Sequence, residues 1–309
     1  MKRLLSLLFA AGLLAAPARL VAQEQRPAAA AEDVDIITPH ITDAHSLDMP
    51  WFAPPFYKEV ELPRWKPLQI GGVEVDLSPT KHVFFLLLAG VLCALTLVLA
   101  TQSHVRHTRE TGTPKGFGAG IEATVLYLRN EIILPNVGPH GNAFVPFCLT
   151  LFFFILFANL LGLVPWGSTA TGNISVTAML AIVSFFVIEI AGMRSQGLGY
   201  FYTIVYWPHD MALPMKSFMT LIMTPVEIIG KLTKPFALAI RLFANMTAGH
   251  IVVLALISLI FTFQTYLIAP VSVGMATAIM LLEIFVALLQ AFLFMLLTAV
   301  FIGQIRTAH

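Results

Sequence analysis

Charge is what this chain has least of. Only 11% of its 309 residues are Asp, Glu, Lys or Arg, against about 25% in soluble domains. With 58% of residues hydrophobic, this composition excludes a soluble globular protein and requires a bilayer. The net charge of +1 leaves no basic footprint for nucleic acid. Cysteine is scarce too. Cys93 and Cys148 lie in or beside apolar runs without metal-ligand spacing, so they read as small buried hydrophobes. No GxxxxGK[ST] stretch occurs, which removes a P-loop. There is no evident internal repeat, no candidate nucleophile and no implied cofactor.

What the chain does have is a series of long apolar runs. Lys2 and Arg3 precede an apolar stretch, Leu4 to Ala16, of signal-peptide length, and residues 1–22 are expected to be a cleaved export signal. Residues 23–80 read as a polar exterior extension. Within it, Leu68 to Asp76 is expected to form a hairpin, because Gly71-Gly72 suits a two-residue turn. His40 and His45, with Asp35, Asp43 and Asp48, have a spacing seen in zinc sites. The cysteines that would complete such a pattern are absent, so a solvated segment is the reading.

Residues 81–309 form the membrane domain. The first span is expected at His82–Thr101, followed by a basic loop from Arg106 to Lys115, cytoplasmic by the positive-inside rule. Ile121 to Leu134 is amphipathic and suits the interface. Further spans are expected at Ala143–Val164 and Ile174–Met193, the latter with Glu189 near its inner end. The uncharged loops Trp166–Asn173 and Gln264–Pro270 then face outside. The last two runs, about 217–263 and 270–305, are too long to stand upright in a core about 30 Å thick. The expected fold is therefore all-α with five membrane segments, N-terminus out and C-terminus in, ending in a helical hairpin that is either steeply tilted or has its ends along the surface.

The most informative stretch is Lys231 to Val253, KLTKPFALAIRLFANMTAGHIVV. It is apolar, yet it carries Arg241, Asn245 and His250. An arginine at membrane depth costs from about 2.5 to more than 10 kcal/mol, so it faces a cavity or a partner unless it snorkels to the surface. Ala237, Ala244, Ala248 and Ala255 fall near its helical face and let another helix come close. His250 lies roughly 180° around the helix and about 13 Å along it. On the last run, Glu283 and Gln290 share a face about 10 Å apart. His250 and Glu283 stand at similar distances from the hairpin turn and are expected to pair. Glu227 lies almost on the Arg241 face, about 21 Å toward the cytoplasm; a surface pair with Lys231 is its plain alternative.

RLFANMTAGH resembles the signature of subunit a of the F-type ATP synthase, and PVEIIGKLTKPFALAI and LLQAFLFMLLTAVFIG resemble the same family. The resemblance covers roughly Lys81 to Arg306. It implies a steeply tilted hairpin curved around a ring of subunit c helices, a peripheral-stalk partner of the subunit b type, and an inner membrane location. It also implies proton translocation between two offset half-channels, through Asn159, His250 and Glu283 outside and Glu227 inside, with Arg241 between them and Asn245 or Gln290 holding its guanidinium. Many relatives carry a carboxylate at the position of His250 and a histidine at that of Glu283, exchanged here. Some add an acid where this chain has Gly162. The choice between H⁺ and Na⁺ rests largely with the ring. A stand-alone proton-coupled transporter or channel is the alternative, but it would show repeats and broken helices around a central site.

Overall fold

The computed structural model describes residues 42–50, 57–70, 73–76, 78–111, 116–164, 167–205, 213–263 and 267–307. The expected export signal therefore lies outside the described residues. The first elements are two antiparallel hairpins. Strand β1 (Ser46–Pro50) pairs with β2 (Tyr57–Glu61), Ser46 opposite Glu61. Strand β3 (Leu68–Ile70) pairs with β4 (Val73–Val75), Leu68 opposite Val75. The second hairpin is the one the glycine pair predicts. The first is not legible in the sequence, where Pro50, Pro54 and Pro55 argue against strands.

Helix α1 (Lys81–Thr111) begins straight after Pro79-Thr80. The segment before it caps it: the Lys81 amide donates to Ala44 O at 2.9 Å, and the His82 amide to Asp43 Oδ1 at 3.4 Å. These contacts satisfy donors that a helix start leaves unpaired. The helix outruns the expected span by ten residues, because nothing breaks it before Gly112 and Pro114. Helix α2 (Phe117–Tyr127) packs on α1 around a cavity of about 190 Å³ lined by Leu97, Ile121 and Val125. It runs through a π turn at Leu128–Ile133 into the short α3 (Leu134–Val137). Pro135 explains the widening: its ring would crowd the Glu131 carbonyl. The Leu134 amide reaches back to Arg129 O.

Helix α4 (Val145–Gly162) carries Pro146 in its first turn, where no donor is lost. Helix α5 (Ile174–Gln196) is capped by Asn173, whose side chain accepts from the Ser175 amide at 2.9 Å. Helix α6 (Leu213–Phe263) runs on through Pro225 and Pro235. Helix α7 (Ala269–Thr307) returns beside it. Their 51 and 39 residues correspond to about 76 and 58 Å at 1.5 Å per residue. Both must therefore lie slanted in a core about 30 Å thick. Among the described residues, five helices are long and apolar enough to cross a membrane.

The core lies between α4, α5, α6 and α7. Ile155, Leu242, Met295 and Ile302 are each 1% exposed or less. Cys93 and Cys148 are buried free thiols. At the inner end, Arg306 donates to Val137 O at 2.9 Å and Pro139 O at 2.6 Å, tying α7 to the turn after α3. Gln196 donates to Ile305 O at 2.6 Å, tying α5 to the same end.

Candidate functional site on the long hairpin

The two faces of α6 differ. Leu238, Leu242 and Met246 are buried against the core. Phe236, Ala237, Ile240, Arg241, Ala244, Asn245 and Ala248 are exposed. On α7 the same side exposes Val271, Leu281, Phe285 and Leu288, each at 49% or more. The hairpin thus presents a broad apolar face with alanines on either side of one guanidinium. Among the described residues, no side chain hydrogen-bonds Arg241. The expected hold by Asn245 or Gln290 is not formed. Asn245 is exposed one turn away, while Gln290 is 4% exposed within the packed side of α7.

The hairpin register brings Glu283 to the level of Gly249, the residue before His250. Glu283 is 7% exposed, and its carboxyl lies against Gly249. A Cβ at Gly249 would come within 2.8 Å of Glu283 Cδ, far inside van der Waals contact. Glycine in a helix interior costs about 0.5–1 kcal/mol relative to alanine; here it makes the space the carboxyl occupies. Glu283 Oε1 is buried without a hydrogen-bond partner among the described residues. His250 lies on the side away from Arg241 and lines a small cavity with Ser168, Thr169 and Thr247.

Asn159 is fully buried. Its amide donates to Ala287 O at 3.3 Å, and its oxygen accepts from Thr171 Oγ1 at 2.6 Å. It therefore ties α4 to the loop between α4 and α5 and to α7, one turn from Glu283. Gly162 has a steric reason: a Cβ there would lie 2.6 Å from Thr169 Cβ. The loop folds onto this position, so no acidic side chain fits.

Toward the start of α6, Glu227 is exposed and lines a cavity of about 220 Å³ together with Glu189, Lys231, Lys234 and Gln304. The alternative Glu227–Lys231 pair gives way to another. Lys231 meets Glu189 of α5 at 3.8 Å and donates to Thr203 Oγ1 at 3.0 Å. Glu189 and Thr203 were not among the expected site residues; the signal for Glu189 was a carboxylate near the end of an apolar run. The residues that suggested a metal site separate. His40 and Asp35 lie outside the described residues, Asp43 meets His82, and His45 Nδ1 lies 3.3 Å from Pro79 O. Among the described residues, no three His, Cys, Asp or Glu cluster as metal ligands.

A multi-pass membrane protein with a long slanted hairpin, an exposed arginine on its open face and a buried glutamate behind it is built to move ions, not to bind a soluble substrate. The family model for the ATP synthase A chain matches residues 83–303. The chain is 45% identical to ATP synthase subunit a of Chloroherpeton thalassium, over 87% of this chain and 76% of that one. It is 42% identical to the Myxococcus xanthus subunit a, over 88% of each chain. It is also 42% identical to ATP synthase subunit a 2 of Chlorobaculum tepidum, over 89% of this chain and 73% of that one. The chain belongs to the ATP synthase subunit a family, the proton-translocating membrane subunits of that enzyme. The family assignment argues against a stand-alone transporter.

Proposed function

We propose that the open face of the hairpin meets a ring of subunit c helices, and that the chain supplies two offset half-paths to the ring's carboxylates. The observation that carries this reading is Arg241, exposed among alanines on an otherwise apolar face. A charge so placed is tolerated when a partner group comes to it. A proton enters from outside past His250 and Glu283 and neutralises a ring carboxylate. The neutral acid can turn into lipid, because burying it costs far less than burying an anion. After nearly a full turn it reaches the inner path, the cavity beside Glu227, and releases the proton. His250 and Glu227 are 23 residues apart on α6, roughly 35 Å along the helix, so the two paths are offset.

Arg241 stands between them. Its charge favours the ionised carboxylate and repels a proton moving straight through. Arginine stays protonated at any working pH. Asn159 holds α7 one turn from Glu283, and Asn245 and Gln290 supply polar groups near the ring carboxylate. A peripheral-stalk subunit b keeps the chain static. In an inner membrane, a potential worth about 2.3 kcal/mol per charge per 100 mV drives rotation.

Cross-linking tests the docking. A cysteine at Ala248, on the exposed side, is expected to cross-link to cysteines on the outer helices of the ring, whereas one at Thr298, fully buried, is not. The reverse pattern would place the ring elsewhere. The proposed orientation has the α6–α7 turn outside and the end of α5 inside, from the basic-residue bias. Leu267→Cys, at an 84% exposed position, is then labelled by an impermeant reagent from outside, and Ser195→Cys only from inside. The native thiols are buried and contribute little background. Labelling of Ser195→Cys from outside would invert the topology.

A further inference from the structure

The exterior segment has no part in the path above, yet it is fastened at one point of the membrane domain. Besides capping α1, Asp43 meets His82 Nδ1 through Oδ1 at 2.7 Å. The contact has the length of a charge-assisted pair, although its angle departs from that of an ideal hydrogen bond. The side chain of His82 is 5% exposed and that of Asp43 is 32% exposed. One member of the pair is wet and the other dry.

On its dry side His82 lines the same small cavity as Ser168, Thr169, Thr247 and His250. Its volume of about 20 Å³ is room for roughly one water. Ser168 Oγ and Thr169 Oγ1 are buried there with no hydrogen-bond partner among the described residues, in residues only 4% and 7% exposed. Buried hydroxyls require partners, and water is what a polar cavity of this size admits. Asp43 is thus more exposed than His82, His82 shares the cavity with His250, and Glu283 packs against Gly249, the residue before His250.

We propose that the Asp43–His82 pair is the entrance of the outer path, with His82 the first group to bind the incoming proton. The proposal rests on the outer-path reading given above. With Nδ1 turned to Asp43, Nε2 carries the proton of the neutral ring. A proton from exterior water is taken up on the Asp43 side at Nδ1, the imidazolium is held against the Asp43 carboxylate, and the Nε2 proton leaves through the cavity to His250. The ring is then neutral again, and proton exchange between its two nitrogens restores the starting tautomer. The other groups near His82 are Lys81, its buried neighbour on α1, and His45 beside Pro79; the exterior loop contributes hydroxyls and α6 contributes His250. Burial alone would raise the carboxyl pKa of Asp43, but the His82 hydrogen bond and charge and the Thr80 hydroxyl outweigh it and hold it below the usual carboxylate range. The extension thus supplies a fixed anion at the mouth of the path.

The test uses the assembled complex in membrane vesicles, with synthesis driven by an imposed gradient and the pH of the exterior side varied. His82→Asn is expected to lower the rate at neutral exterior pH about 100-fold, the lower end of what one positioned acid–base group contributes. Imidazole added on the exterior side should restore part of it, which a structural role does not predict. Asp43→Asn removes the counter-charge, so its rate should fall at neutral exterior pH and recover on acidification. A wild-type rate and exterior-pH profile in assembled His82→Asn overturns the proposal. If that variant fails to assemble, an unchanged profile in Asp43→Asn overturns it. Normal coupling in Arg241→Ala would instead overturn the underlying path, so the two failures are distinguishable.

Discussion

Replacing His250 and Glu283 together with alanine is expected to lower ATP-driven proton pumping about a hundredfold, the lower end of what positioned acid–base groups contribute, while the complex still assembles. The two belong to one site: the Glu283 carboxyl fills the gap at Gly249, and His250 is the next residue on α6. A histidine and a carboxylate can relay a proton in either order, since both titrate near physiological pH when their surroundings shift them. Their titrations should be coupled, so pumping in the single variants should respond to pH differently from the sum of two independent groups. Gly249→Val supplies a steric counterpart. It leaves both titratable groups in place but fills the space the carboxyl occupies, and should impair pumping with His250 and Glu283 intact. Full pumping by the double variant would remove the pair from the path.

Much of this was legible in the sequence because long apolar helices leave few choices. The five spans follow from runs of apolar residues, and the slant of α6 and α7 follows from their length against the thickness of the bilayer. The depth match of His250 and Glu283 came from counting residues on either side of the turn. Two faces of α6 could be told apart because Arg241 and His250 lie half a turn out of phase.

What was not legible depends on contacts between distant segments. Nothing local to Asn159 says that its amide bonds Ala287 and its oxygen Thr171; both partners are fixed by how α7 and the exterior loop pack. Glu189 looked like a residue at a helix end until α6 brought Lys231 beside it. The guanidinium was expected to have an intrachain partner, yet the packed core keeps Gln290 away from the open face. His82 read as the first residue of a span, and only the fold of residues 42–80 gives it Asp43. Gly249 offered a weaker signal that could have been used: a glycine in the middle of a helix usually has a packing reason.

Arg241→Ala should abolish ATP-driven pumping and synthesis without preventing assembly. The side chain is exposed and lies outside the buried core, so its removal costs the fold little, whereas the ring carboxylate loses the charge that deprotonates it. Arg241→Lys should fail or nearly fail. Lysine keeps a charge but loses the planar fork, and its pKa falls readily when it is desolvated against a partner helix. A structural role predicts the opposite pattern: poor assembly for Arg241→Ala and near-normal function for Arg241→Lys.

The barrier between the two half-paths is electrostatic in this account, and passive leak reads it most directly. In membranes carrying equal amounts of assembled complex, ATP-driven pumping and passive proton conductance would be measured side by side for the native chain and Arg241→Ala. The account predicts that pumping disappears while conductance persists or rises. Normal coupled pumping with the native level of leak would contradict it.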